Sequence, residues 1–190
     1  MKIFLLVTVL CFYSVYPFAQ QVFIHEEATR IWESPAIFKV PESINYDPVK
    51  KCLLVSNING APAEKDGNGF ISKVSLNGKV LNLEWITGLD APKGMGIVGN
   101  VLFISNLSEI VVADLITGTI LRRLPVKEAR FLNDIDVDEK GTVYISDMRA
   151  SVIYRLRNDS FEKWIEGAAI ENCNGLHYRK GKLYTGYLLT

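Results

Sequence analysis

The stretch Leu132-Asn133-Asp134-Ile135-Asp136-Val137-Asp138-Glu139-Lys140-Gly141-Thr142-Val143-Tyr144-Ile145-Ser146-Asp147 decides the fold. Asn133 to Val137 alternates polar with apolar residues at a period of two, which predicts a strand with Ile135 and Val137 turned inward. Asp138-Glu139-Lys140-Gly141 supplies turn chemistry, and Thr142 to Asp147 reads as a second strand. Ser151 to Arg157 and Ser160 to Ile165, parted by Asn158-Asp159, complete a unit of four short strands.

Elsewhere the unit recurs. Pro41-Glu42-Ser43-Ile44, Pro92-Lys93-Gly94-Met95 and Cys173-Asn174-Gly175-Leu176 stand where Leu132-Asn133-Asp134-Ile135 stands in the first stretch. Each is followed by a run with a similar ending: Leu53-Leu54-Val55-Ser56-Asn57, Leu102-Phe103-Ile104-Ser105-Asn106 and, more loosely, Leu183-Tyr184-Thr185-Gly186-Tyr187. The second residues of the four openings lie 51, 40 and 41 positions apart. A period of about 40 residues built of short strands is the signature of a β-propeller blade. The longer first interval reflects a polar insertion, Ile58 to Gly69. Asn77-Gly78 marks a hairpin in the first repeat, and Ala28 to Glu33 is expected to be an isolated outermost strand.

No stretch sustains a helical period, so the class is all-β. Repeats fall at about 41–91, 92–131, 132–172 and 173–190, forming a propeller domain over 20–190. Three and a half to four blades are therefore expected, an incomplete form of a six-bladed ring. Unclosed strand edges invite self-association, which predicts poor solubility of the chain expressed alone.

Composition narrows the partners. Among 190 residues, 21 Lys and Arg balance 21 Asp and Glu, and 48% are hydrophobic. A neutral chain lacks the basic face that nucleic acid requires. Met1-Lys2 followed by the apolar run Ile3 to Phe18 and then Ala19 reads as a secretory signal over 1–19. This implies a secreted or periplasmic protein with no stable membrane insertion after cleavage. Cleavage would remove Cys11 and leave Cys52 and Cys173, too few for a disulfide framework. Free buried thiols are expected, although one bridge is open to them.

The openings Pro41-Glu42-Ser43, Leu132-Asn133-Asp134-Ile135 and Cys173-Asn174-Gly175-Leu176 resemble those of the gluconolactonase and regucalcin-like family of six-bladed propellers, which includes senescence marker protein and luciferin-regenerating enzymes. The resemblance spans residues 28 to 187. It implies a divalent cation on the propeller axis, held by Glu42, Asn133 and Asn174, and a lactone-hydrolysing activity on a small molecule such as a sugar lactone. Calcium is the expected ion, with magnesium or zinc as alternatives; carboxylate and amide oxygens are the hard donors that calcium and magnesium take. The family's fourth ligand, an Asp that is also the proposed base, would fall about one period beyond Asn174, past the last residue. The resemblance thus implies a chain without its last ligand and leaves the catalytic residue unknown.

Two positions depart from the family pattern. Lys93 occupies the opening slot of the second repeat, where it can contact a substrate oxygen or balance Glu42. Phe131 stands where the family commonly has a substrate-binding Arg, and Arg130 is one residue further away. Asn133 and Asn174 also suit tight turns on their own account. A non-catalytic propeller that binds a ligand or protein is the alternative reading, since propellers host many functions.

Several motifs are declined. Gly94-Met95-Gly96-Ile97-Val98-Gly99 fits a dinucleotide fingerprint, but a strand follows it where a helix is required. Asp134 to Asp138 opens like a calcium loop, but Glu139 replaces the required Gly and Ile145 the bidentate Glu. Cys173 and His177 are half a zinc site at most, expected in the core or lining the channel. Trp32, Trp85 and Trp164 occupy comparable outer positions, which predicts packing between blades.

Overall fold

The computed structural model describes residues 29–187; the signal segment read over 1–19 lies outside them. Three four-stranded sheets and one two-stranded sheet follow one another along the chain. The first holds β1 (Pro41–Asp47), β2 (Cys52–Asn57), β3 (Gly69–Ser75) and β4 (Val80–Leu89). The second holds β5 (Pro92–Val98), β6 (Val101–Asn106), β7 (Glu109–Asp114) and β8 (Ile120–Pro125). The third holds β9 (Leu132–Val137), β10 (Val143–Asp147), β11 (Val152–Arg157) and β12 (Ser160–Glu166), and the fourth β13 (Cys173–Arg179) and β14 (Lys182–Tyr187). One 3-10 turn, Ala168–Ile170, precedes β13. No helix among the described residues is long and apolar enough to cross a membrane.

Each sheet is an antiparallel meander with consecutive strands paired. The first strands pack side by side, β1 on β5, β5 on β9 and β9 on β13. Strands that fan outward from such an inner row are the blades of a β-propeller. The chain is all-β and forms an arc of one.

Middle strands of the second and third blades are apolar on both faces because each is sandwiched between neighbouring blades. In β7, Val111 and Ala113 join Leu54, Ile71, Ile86, Met95 and Leu102 between the first two blades. Their alternates Ile110 and Val112 join Leu132, Ile135, Val143, Ile145 and Tyr154 between the second and third. Tyr144 and Ile153 meet Cys173 and Leu176 between the third and fourth. The period of two thus sends successive residues of one strand into different cores, so the runs look continuously hydrophobic.

The recurrent strand ending has a structural cause. Asn57, Asn106 and Asp147 are fully buried, and each accepts backbone N–H bonds from the segment that leads into its own blade. Asn57 Oδ1 accepts from Lys39 at 3.0 Å, and Asn106 Oδ1 from Asp90 and Ala91 at 2.9 and 3.1 Å. Asp147 accepts from Arg130 at 2.7 Å and Phe131 at 3.0 Å. A buried amide without a partner costs about 1–3 kcal/mol, and the repeated Asn or Asp removes that cost where no ladder can form.

Trp85 packs on Gly118, where a β-carbon would stand 2.8 Å from its ring. Trp32 packs in the same way on Gly78, at 2.7 Å, and its Nε1 donates to Leu76 O at 2.8 Å. Trp164 instead lies against Tyr144, with ring centroids 5.1 Å apart. Residues 29–33 form no strand, contrary to expectation, although Trp32 takes the place an outermost strand would give it. Cys52 and Cys173 are free and buried. His177 is not in the core: its side chain is 68% exposed and stands 3.4 Å from Asp136.

Candidate functional site at the inner strand openings

All four innermost strands carry the same irregularity. Between Pro41 and Ile44 the chain advances three residues while its partner advances two, from Asn57 to Val55. The same extra residue lies between Pro92 and Met95, Leu132 and Ile135, and Cys173 and Leu176. A bulge re-aims the side chains beside it. The bulged positions are Glu42-Ser43, Lys93-Gly94, Asn133-Asp134 and Asn174-Gly175, so the four residues singled out by the repeat share one structural slot.

Their environments differ. Asn133 is 4% exposed, and its side-chain amide has no hydrogen-bond partner among the described residues. Among the described residues the one wholly buried side-chain N or O without a partner is Tyr154 Oη, so both polar atoms of the Asn133 amide keep access to solvent. Asn174 is half-buried, and its Nδ2 approaches Met148 Sδ at 3.7 Å. Glu42 is solvent-accessible, yet the protein crowding it raises its carboxyl to about 7. Desolvation is the main cause and the nearby Asp134 charge the second, with Lys93 acting in the opposite direction.

Lys93 is 1% exposed, the bulkiest fully buried side chain among the described residues. The inserted loop between β2 and β3 explains its burial. Lys93 Nζ donates to Pro62 O in that loop and to Ala91 O, both at 3.0 Å, and stands 4.3 Å from the centre of the Phe131 ring. Burial lowers its ammonium to about 8, with Glu42 opposing the shift and Arg149 adding to it.

Sequence reasoning missed three residues. Asp134, read only as an outward strand position, is held by two amides: Oδ1 accepts from Ile135 at 2.8 Å and Oδ2 from Leu176 at 2.7 Å. Desolvation nevertheless raises its pKa. Asp136, two residues on, accepts from the Tyr178 amide at 2.6 Å, so β9 is fastened to β13 by carboxylates rather than by a ladder. The signal was available in the polar half of the Asp134-Ile135-Asp136 alternation. Arg149, in the β10–β11 turn, lies 4.4 Å from the Phe131 ring centre. It brings a cation to the surroundings of Lys93, on the same aromatic ring.

Arg130 does not join this group. Its side chain is exposed and lines a separate cleft of about 500 Å³ with Glu128, Tyr154, Lys163 and Glu166. Glu42, Lys93 and Asp134 are coupled through their charges, and Asn133 and Asn174 share their structural slot on neighbouring strands. For a hard cation, Glu42 and the two amides are chemically suitable donors, and Asn133 is free to coordinate. Each oxygen of Asp134 already accepts one amide N–H and keeps a further lone pair. Among the described residues no three His, Cys, Asp or Glu side chains gather into a metal-holding group, so a site here depends on the amides.

The arc of four-stranded meanders around an inner row defines a β-propeller protein. No protein-family model matches the chain, and no curated protein does. Solved structures do. A gluconolactonase from Xanthomonas campestris superposes with a TM-score of 0.60 at 13% identity, over 77% of this chain and 54% of that one. A virginiamycin B lyase from Staphylococcus aureus gives 0.56 at 13%, over 72% and 44%. A nidogen/laminin complex gives 0.52 at 14%, over 70% and 49%. The chain spans about half the length of these neighbours, and at such identities the likeness establishes the fold.

Proposed function

We propose that this chain carries the ligand-binding part of a secreted or periplasmic, divalent-cation-dependent hydrolase acting on a sugar lactone or a related small ester. The gluconolactonase-like openings of the repeats and the likeness of fold to a gluconolactonase support this reading. The observation that carries it is the common bulge, which puts Glu42, Asn133 and Asn174 in one slot of three inner strands, with the Asn133 amide unpartnered and its polar atoms open to solvent.

In this reading Glu42, Asn133 and Asn174 hold the cation, calcium first and magnesium or zinc second. Bound there, the ion would polarise a carbonyl oxygen and acidify water. Glu42 holds a proton below pH 7 and releases it above, so it becomes a full ligand only at neutral pH and beyond. Asp134 orients β13, and thereby Asn174, through the Leu176 amide. Lys93 and Arg149 supply positive charge for a substrate oxygen.

A second reading, a non-catalytic propeller that binds a ligand or protein, is favoured by Lys93: its ammonium fills one of the four slots and repels a cation. Isothermal titration of calcium into the full chain separates the two, together with turnover of a δ-lactone. The hydrolase reading expects binding that Glu42→Gln and Asn174→Ala each weaken at least tenfold. Absence of both metal binding and turnover leaves the binding module.

A further inference from the structure

A second group of polar side chains lies off the axis, in the third blade. Tyr154 and Lys163 are cross-strand partners in β11 and β12, as are Val152 and Glu166, and directly opposed residues share one face of a sheet. That face meets the second blade, since Val152 and Tyr154 belong to the core shared with Ile110 and Val112. Every wall of the resulting cleft of about 500 Å³ comes from the third blade or from the segment that joins β8 to β9. Described strands of the second and fourth blades stand on either side of it. In the meander the start of β11 and the end of β12 lie level with the start of β9, so the cleft is at the same end of the blade as the Asn133 opening.

Tyr154 is 2% exposed, and its Oη is wholly buried without a hydrogen-bond partner. A buried hydroxyl left unsatisfied is costly. Burial and then the Asp147 charge raise the phenol's pKa, Lys163 opposes the rise, and Glu128 and Glu166 add to it. Three of those four charges belong to the cleft. Beside the phenol, Lys163 Nζ reaches Glu128 Oε2 at 2.6 Å and Glu166 Oε2 at 3.9 Å. The side chains of Lys163 and Glu128 are 38% and 59% exposed, and ion pairs so exposed hold weakly. Glu128 makes its bond from a φ of +69°, a region that residues other than Gly seldom occupy. Arg130, two residues on, has a guanidinium with no partner among the described residues.

We propose that this cleft binds a small hydroxy-carboxylate, whose carboxylate displaces Glu128 from Lys163 and is gripped by Arg130, and whose hydroxyl pairs with Tyr154 Oη. Glu128 is the internal stand-in for the ligand: it shows that a carboxylate fits on Lys163, and it leaves a strained conformation when displaced. Opening that pair uncovers the phenol. A guanidinium matches a carboxylate with two parallel N–H bonds. The two acidic side chains beside the cations disfavour a dianion such as phosphate, and Glu166 remains to accept from a further hydroxyl. A neutral polyol lacks the charge that displaces Glu128. Hydrolysis of a sugar lactone yields an acid of this class, so the cleft suits a product of the proposed reaction, but its binding chemistry does not rest on that reading.

Ligand-observed NMR of D-gluconate with the full chain, in calcium-free buffer, tests the cleft apart from metal and turnover. A dissociation constant on the order of 1 mM is expected for a ligand of this size, with glucitol and inorganic phosphate each at least ~10-fold weaker. Arg130→Gln should weaken gluconate at least ~10-fold and Tyr154→Phe about fivefold. Glu128→Gln removes the internal competitor and should tighten binding about threefold or more. Tyr154→Phe should also melt no lower than the wild type, because the hydroxyl has no partner to lose. No saturation by ~10 mM gluconate, equal binding of glucitol or phosphate, a Tyr154→Phe chain that melts lower, or an affinity indifferent to Arg130→Gln and Glu128→Gln would each overturn the proposal, whatever the calcium titration shows.

Discussion

Replacing Gly94 by Ala tests how closely the inner strands approach. A methyl group there would stand 2.5 Å from both Cα and Oδ1 of Asp134 and 2.6 Å from the Ile135 nitrogen. Carbon atoms settle at about 3.5–4.0 Å, so roughly 1 Å must open between β5 and β9. Two of the three obstructing atoms are backbone and cannot rotate aside. Overpacking of this kind costs about 1–3 kcal/mol, and displacing Asp134 from the Ile135 and Leu176 amides adds about 1–2 kcal/mol. We expect a loss of about 4 kcal/mol, or roughly 10 °C in Tm for a chain of this size. Gly94 has no left-handed φ, so the whole effect is steric. Gly88 provides the contrast: its φ is +73° with open space around it, so Gly88→Ala should cost only ~1 kcal/mol in strain. Urea unfolding followed by tryptophan fluorescence measures both variants. A Gly94→Ala protein no less stable than Gly88→Ala would refute the close approach of the second and third blades.

Three other outcomes follow from the same geometry. Between pH 8 and 10.5 the unfolded chain keeps a proton on Lys93 that the folded chain has released. Stability should therefore rise with pH across that window by about 3 kcal/mol, and the difference between wild type and Lys93→Met should isolate this rise; a flat difference would count against the buried ammonium. Asp147→Ala strands the amides of Arg130, Phe131 and Ala150, and chemical denaturation should report a loss of about 3–5 kcal/mol. In the proposed reading Glu42, raised to about 7, ligates a cation only when ionised, so calcium affinity should climb about tenfold per pH unit up to pH 7 and then level off. A calorimetric profile flat from pH 5.5 to 8.5 would remove Glu42 from the ligand set.

Much of the architecture was legible because a blade is a local object. Strand, turn and strand pair within about 40 residues, and the ending Ser-Asn or Ser-Asp recurs because each blade must satisfy the same stranded amides. The openings Glu42, Lys93, Asn133 and Asn174 were likewise visible as one repeated slot. The bulge that re-aims them was hidden, since an extra residue in a pairing has no signature in a single strand. Arg130 was chosen by proximity along the chain to Phe131, whereas the cations that reach the Phe131 ring are Lys93 and Arg149, the latter 18 residues later. The outermost strand expected over Ala28 to Glu33 rested on a blade it would have had to join, and residues 29–33 form no strand.

By itself the sequence determined the all-β class, the four repeats and the identity of the slot residues, all of which depend on contacts between residues close in the chain. Tertiary structure alone decided which faces of the strands are covered and what each slot residue meets. Ile44 and Ile135 read alike in sequence but differ in exposure because only one has a blade before it. Lys93 is buried because a loop some thirty residues earlier places the Pro62 carbonyl over it, and the Glu42 carboxyl is raised first by the desolvation around it and then by the charge of Asp134, two blades away. Burial and charge coupling are properties of the space between blades, and no single repeat contains that space.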